Sequence, residues 1–555
     1  MNKLSRREML KLIGLGTVST VLAACAQKTA TQPPQPIEKP TEAIQPTAAV
    51  TATEKPPAAT AAPTKTPPPA KAVKIIMVES WFSVPQFKES IDPVTKAISD
   101  KMKGEGLNIE IESMILDDHE HKYPVLYAAG ADFTMAFDAP WYKMNTLRDQ
   151  GALVQIESLL DQYGPKLKEE VTEKILKSNY YKDHLYGIPT AYYYSGTGGA
   201  QLRYDLLKKY NAPEPTSEGG HASMQPFLEA IAKNEPNMIP YALDAAYCPV
   251  HENFLLRRKM GPGVDGKTGV IIPDISKGYT FVDIETIPEI VEQAKLMRTW
   301  WEKGLINKTD LPASGPTTNL MIDYVFPGRA ASCVENEPDY KWYDTTKALK
   351  SSIPTGELRG YDLTGLRAGK VRGLGALKQW NFIVINAGAT QEKQVAAIQY
   401  FNWLASSQDN MDLWLMGIDR VNYKKEANLR FSEIAGVDQA RNYRRQWYVS
   451  GISGRFQRQP VDLPKEAEEA LKFFSTESNW DFNPYEGFEI DTKAVELETT
   501  QLQAAWAEAY HGLATGQIAT DAAITKFKKT LDDAGRQQYK AKIQKQLDDY
   551  IAAHK

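Results

Sequence analysis

The chain predicts an α/β fold, an open sheet whose strands alternate with helices, followed by a helical C-terminal extension. Three observations carry this. Val73-Lys74-Ile75-Ile76-Met77-Val78 is an apolar strand candidate, Gln86 to Met102 sets Phe87, Ile91, Val94, Ile98 and Met102 at helical spacing, and Leu107-Asn108-Ile109-Glu110-Ile111 alternates as a second strand. This is a βαβ unit. A helix through Val125 and Leu126 to Gly130 leads into Phe133-Thr134-Met135-Ala136-Phe137, a third strand. At the far end Tyr539, Ile543, Leu547, Tyr550 and Ile551 share one helical face, with Gly535 suited to a helix stop before them.

The segment ahead of this body has a different character. Lys3, Arg6 and Arg7 precede a run from Leu10 to Ala24, apolar except for Lys11, that is too short to span a bilayer and ends at Leu22-Ala23-Ala24-Cys25. Small apolar residues leading to a cysteine are what a lipoprotein signal peptidase requires. Residues 1–24 are therefore expected to be a signal peptide and Cys25 the lipidated first residue of the mature chain. Ser5-Arg6-Arg7-Glu8-Met9-Leu10-Lys11 also resembles the twin-arginine export signal, which leaves that route and the general secretory route both open. Two or more acyl chains hold a protein stably on a membrane, so the expected location is extracytoplasmic, anchored to the outer face of the cell membrane.

From residue 25 to residue 72 the composition turns to Pro, Thr, Ala and Gln, as in Gln32-Pro33-Pro34-Gln35-Pro36. Too little apolar surface is available to offset the entropy of ordering such a chain, and a tether with polyproline bias is expected. Extended at about 3.1 Å per residue, it reaches on the order of 140 Å. The body from residue 73 onward is long enough for two or three domains. A net charge of −4 with acidic and basic residues mixed throughout excludes the concentrated basic surface that nucleic-acid binding needs. Beyond Cys25 only Cys248 and Cys333 remain, and the sequence leaves both a disulfide and two free thiols open.

Ligands of open α/β sheets bind beyond the carboxyl ends of the strands. Here those positions bring Trp81 after the first strand and Asp138-Ala139-Pro140-Trp141 after the third.

Several runs resemble the family 1 extracellular solute-binding proteins of ABC importers: Lys122 to Asp132, Gly151-Ala152-Leu153-Val154-Gln155-Ile156, Leu185-Tyr186-Gly187-Ile188-Pro189, Arg203-Tyr204-Asp205-Leu206-Leu207, and Trp380-Asn381-Phe382-Ile383-Val384-Ile385-Asn386 leading into Tyr400-Phe401-Asn402-Trp403-Leu404. Their order and spacing carry the likeness. Toward the C-terminus, Gly417 to Tyr423, Phe488-Glu489-Ile490-Asp491 and Gln544-Lys545-Gln546-Leu547-Asp548 are similar to the larger oligosaccharide-binding lipoprotein subgroup.

The resemblance implies a type II periplasmic-binding-protein fold: two α/β lobes, a hinge and a helical C-terminal extension. With chain crossings at about 188–194, 376–382 and 421–428, lobe 1 takes residues 73–188 plus 383–421 and lobe 2 takes 195–375 plus 428–555. It also implies a carbohydrate ligand, a membrane permease as partner, a monomer, no cofactor and no catalysis. Sugar rings present C–H faces to flat aromatic platforms and hydroxyls to fixed polar groups. On that basis the expected ligand residues are Trp81, Trp141 and Trp380 as platforms, Tyr192 and Tyr194 on a crossing, and Asp138, Glu335, Asn336 and Asp419 as polar contacts. Trp300, Trp301 and Trp506 fall in helical periodicity and read as core.

Other chemistries are weaker. His119 and His121 with acidic neighbours are metal-ligand types, but two residues apart they do not share a helix face, so no metal site is expected. A carbohydrate-active hydrolase needs two carboxylates at a fixed separation, which composition alone permits but no motif supports. Peptide capture predicts backbone-pairing edges in place of aromatic platforms.

Overall fold

The computed structural model describes residues 71–80, 87–190, 198–243, 248–250, 267–309, 320–336, 338–369, 373–439, 441–445, 454–485 and 487–554. Eight strands position the region of interest: β1 (Val73–Glu79), β2 (Ile109–Ile115), β3 (Met135–Asp138), β4 (Ile188–Pro189), β5 (Gly198–Arg203), β6 (Ser332–Asn336), β7 (Leu358–Asp362) and β8 (Phe382–Ile385). The helices that matter are α1 (Lys88–Gly104), α2 (His119–Ala128), α3 (Met144–Asp149), α4 (Pro288–Lys303), α5 (Gln391–Leu404), α6 (Gln408–Leu415), α7 (Glu496–Ala514), α8 (Thr520–Asp533) and α9 (Arg536–Ala553).

Lobe 1 is built on a sheet in the order β2-β1-β3-β8-β4. β1 runs parallel to both β2 and β3, and β8 runs antiparallel to β3 and β4. The apolar run expected as the first strand forms β1 and packs on both faces of the sheet. Ile75 and Met77 pack with α1 residues Ile91, Val94 and Ile98 on one face, while Val78 joins Tyr123 and Phe133 on the other. The third strand begins two residues later than the sequence expects and includes Asp138.

Lobe 2 carries a smaller antiparallel sheet in the order β6-β5-β7. Its core joins Ala200 and Leu202 to Trp300 of α4 and to Trp506, Phe527, Tyr539, Ile543 and Leu547 of the C-terminal helices. The helical face expected at 539–551 is therefore the one that packs inward. Gly535, in the left-handed region at φ 90°, separates α8 from α9, as a helix boundary there requires. Arg536 then bonds bidentately to Glu285 at 2.7 Å through each nitrogen, fixing α9 to the lobe. Cys248 and Cys333 are both buried in this core.

The lobe boundary near residue 428 needs correction. Phe431, Tyr443 and Phe456 belong to the lobe 1 core with Met411 and Trp414, so the segment following 428 stays with lobe 1. Two buried ion pairs hold it there. Arg445 meets Glu79, at the end of β1, at 2.7 and 2.5 Å, and Arg458 meets Asp412 of α6 at 2.8 and 2.9 Å. The Arg445 guanidinium also lies 3.5 Å from the centre of the Trp414 ring. The chain between Gly375 and Phe382 leads into the lobe 1 sheet at β8. Buried Asn179 fixes it, accepting from Gln379 N at 2.7 Å and donating to Leu377 O at 2.8 Å.

Candidate functional site

One edge of the lobe 1 sheet collects the positions that matter. Because β1, β3 and β4 point the same way and β8 points back, the carboxyl ends of the first three and the start of β8 lie together; Phe382 pairs with both Asp138 and Pro189. Chain leaving β3 and chain entering β8 therefore meet. Their side chains are Trp141 and Trp380, 56% and 58% exposed, among the most exposed large hydrophobic residues described.

Exposure on that scale costs apolar burial for two indoles, and Trp141 is fixed by a hydrogen bond. Trp141 Nε1 donates to Asn381 Oδ1 at 3.1 Å, tying the turn after β3 to the residue beside Trp380. The carbonyl of Asn381 accepts from Thr190 N at 3.0 Å, which brings in the end of β4. Asn381 thus links three chain segments at one edge. It went unnoticed in the sequence, where its place directly after Trp380 in a lobe crossing was the available signal.

Asp138 occupies the same edge in a different role from the one its sequence position implies. Its side chain is fully buried, so its carboxylate offers no direct contact to a ligand in this conformation. Oδ1 accepts from Ala139 N at 2.7 Å and Lys143 N at 3.0 Å, and Oδ2 accepts from the Tyr123 hydroxyl at 2.9 Å. Burial pushes its pKa up to about 6, against the pull of those donors. Around it lies an aromatic cluster in which His119 stacks on Tyr123 at 5.1 Å and Tyr123 on Tyr142 at 6.0 Å. Burial brings the His119 pKa down to about 4, which keeps its ring neutral near pH 7. The Asp117–His121 run thus divides. His119 faces inward, while His121 stays on the surface against Asp118.

The remaining sequence candidates fall elsewhere. Trp81, Tyr192 and Tyr194 lie outside the described residues; β1 and β4, which precede them, both end on this edge. Glu335 and Asn336 close β6 in lobe 2, where their backbones pair with Gly199 and Gly198 at the start of β5. Asp419 is not brought to the Trp141–Trp380 edge by any of its contacts. It sits in a turn of lobe 1, where its carboxylate accepts from Lys425 N at 2.8 Å. Trp300 and Trp506 are core residues as their periodicity implies, and Trp301 packs partly buried against the same core. No described helix is long and apolar enough to cross a membrane.

The family described as a domain of unknown function, DUF3502, matches residues 484–552. A carbohydrate ABC transporter substrate-binding protein of Streptococcus pneumoniae serotype 4 (strain ATCC BAA-334 / TIGR4) is 21% identical over 476 residues, covering 83% of this chain and 88% of its own length. The crystal structure of the N-glycan transport solute binding protein NgtS from Streptococcus pneumoniae is similar at a TM-score of 0.66 and 17% identity, over 87% of this chain and 100% of that one. The same protein in complex with Man1GlcNAc gives a TM-score of 0.64 at 17% identity, over 86% and 99% of the two chains. The likeness shows the fold: this chain has the two-lobed architecture of these solute-binding proteins.

Proposed function

We infer that this chain belongs with the family 1 extracellular solute-binding proteins and serves an ABC import system by capturing a carbohydrate. The observation that carries the reading is the pair of exposed indoles, Trp141 and Trp380, bracketed by Asn381 at the edge from which the chain crosses between lobes. Flat, oriented aromatic surface beside fixed polar groups matches the two faces of a sugar. The relative with a related sequence is a carbohydrate substrate-binding protein, and its function supports the same assignment.

We read the ligand as an oligosaccharide, held between the Trp141 and Trp380 platforms on one side and the β6 end with Glu335 and Asn336 on the other. Trp81, Tyr192 and Tyr194 are proposed to join them. Ligand contacts to both lobes exist only when the lobes close, which is why binding shifts the population toward the closed form. Moving that equilibrium from 1:99 to 99:1 takes about 5.5 kcal/mol of differential affinity, within the roughly 8 kcal/mol of a micromolar ligand. The closed form then delivers its sugar to a membrane permease. Acylation at Cys25, with the Pro-rich tether, is proposed to keep the body near that permease on the outer face of the membrane. The role is transport without turnover.

Calorimetric titration of the mature protein with a panel of mannose- and N-acetylglucosamine-containing oligosaccharides tests this. At least one is expected to bind with micromolar affinity or better and to reduce the radius of gyration in small-angle scattering. Binding by none of the saccharides, or steady release of reducing ends, would reject the reading.

A further inference from the structure

Resting on the carbohydrate-binding reading, we propose that Asp138 is a positioning residue, which governs ligand affinity by holding the turn that presents Trp141 and never touches the sugar itself. The geometry is specific. Oδ1 accepts the backbone N–H groups of Ala139 and Lys143, the residues that bracket Pro140, Trp141 and Tyr142. The turn closes on itself through Tyr142 N to Ala139 O at 2.9 Å, and Asn145 Nδ2 donates to Pro140 O at 3.2 Å. On the far side, Trp141 Nε1 reaches Asn381 Oδ1. The indole is thus held between a buried carboxylate that fixes its backbone and an amide that fixes its ring plane.

The surroundings show why a carboxylate suits this place. From α2, Tyr123 donates to Oδ2, and Tyr127 lies 3.2 Å from the Tyr123 hydroxyl. His119 of the same helix is neutral near pH 7. Lys143, which supplies one backbone N–H, turns its ammonium toward the Tyr142 ring, 5.3 Å from its centre. From β1, Val78 shares this face, whereas Glu79, one residue on, faces the other side of the sheet, where it meets Ser113 and Arg445.

Asparagine keeps the essential part of this arrangement. Its carbonyl oxygen accepts the same two backbone N–H groups, and its NH2 faces the Tyr123 hydroxyl, which reverses from donor to acceptor. The tests follow at pH 7.5, above the Asp138 pKa of about 6. With an oligosaccharide that the wild type binds, calorimetry is expected to find Asp138→Asn within about threefold of wild type and Asp138→Ala weaker by up to the roughly tenfold of Trp141→Ala. Asp138→Ala combined with Trp141→Ala should bind no more weakly than Trp141→Ala alone. A folded Asp138→Asn protein as weak as the alanine variant, or additive losses in the double variant, would overturn the proposal.

A readout independent of ligand separates this from failure of the carbohydrate reading. In 5-fluorotryptophan-labelled protein, the ¹⁹F resonance that disappears in Trp141→Phe should shift in Asp138→Ala and in Asn381→Ala, and stay in place in Asp138→Asn. Should Asp138→Ala fail to fold, Asn381→Ala and Asp138→Asn still decide: an unmoved resonance in the first or a displaced one in the second would overturn the proposal.

Discussion

Two sets of tryptophans stand in opposite surroundings, one enclosed in the lobe cores and one exposed at a sheet edge. Trp300 and Trp414 are fully buried in the lobe 2 and lobe 1 cores, and neither indole N–H finds an acceptor among the described residues. Trp141 and Trp380 stand more than half exposed, yet the Trp141 N–H is satisfied by Asn381. The arrangement is the reverse of what stability alone favours, because a buried donor without a partner costs more than an exposed one. Core indoles are kept in place by packing on all sides, strongly enough to tolerate that cost. The edge indole lacks such surroundings, and a hydrogen bond gives it the fixed orientation that packing does not.

The largest expected effect tests the core half of this contrast. Trp300→Ala and Trp414→Ala each remove an indole from a fully enclosed site and should destabilise the protein by about 3–5 kcal/mol. Trp414→Ala also strips the ring from beneath Arg445, whose pairing with Glu79 fixes the 441–445 segment to β1. Urea unfolding is the measurement, and a loss below about 1 kcal/mol at either position would show that enclosure does not translate into stability here.

A second difference concerns charge beneath the edge. The turn carrying Trp141 rests on a buried polar cluster in which His119 and Asp138, the members that titrate below pH 7, are shifted in opposite senses. His119, held neutral by burial with its pKa near 4, binds a proton in the unfolded chain below its ordinary value of 6.5 but not in the folded one, so its contribution is full above about pH 6.5 and declines as pH falls toward 4. Asp138, raised to about 6 from 3.8, keeps a proton in the folded state that the unfolded chain has lost, so its contribution declines as pH rises from about 4 to 6. Each is on the order of 3 kcal/mol at full extent, and between pH 4 and 6 they oppose. Relative to wild type, Asp138→Asn should therefore gain stability as pH rises through that window, and His119→Gln should lose it. Melting curves at half-unit intervals read both slopes. Slopes of the same sign would mean the two groups are not shifted in opposite directions.

How far the sequence revealed this arrangement depended on periodicity. The βαβ unit over 73–111 and the inward face of α9 were legible because burial repeats every second or every third to fourth residue there, and the structure keeps those faces. The lobe boundary near 428 was misplaced because what holds the following segment is charge: Arg445 and Arg458 leave no apolar periodicity, and only their pairing with Glu79 and Asp412 makes burial tolerable. Trp141 and Trp380 could be found from strand ends and crossings, since topology brings such positions together in any sheet of this kind. Asn179 could not, and Asn381 had only its place beside Trp380 to mark it. A single amide that fixes a crossing leaves no repeat, and its partners lie about 200 and 240 residues away in the chain. Asp138 was legible as important and illegible as buried, because the donors that saturate it include two backbone N–H groups that no residue type encodes.

The smallest effect is the one on which the functional half of the contrast rests. Trp141→Ala and Trp380→Ala should each weaken oligosaccharide binding about tenfold, roughly 1.4 kcal/mol, while the unliganded melting temperature stays within about 2 °C of wild type. The asymmetry is what matters, since an indole exposed by more than half contributes little to the folded state, and whatever it contributes elsewhere has to appear on binding. Trp141→Phe refines the point. It keeps an aromatic face and removes the N–H to Asn381, so an affinity between those of wild type and alanine would separate the worth of the ring from the worth of its orientation. If both alanine variants instead lower the melting temperature and leave affinity intact, the edge indoles belong with Trp300 and Trp414, and the sugar is held by other residues.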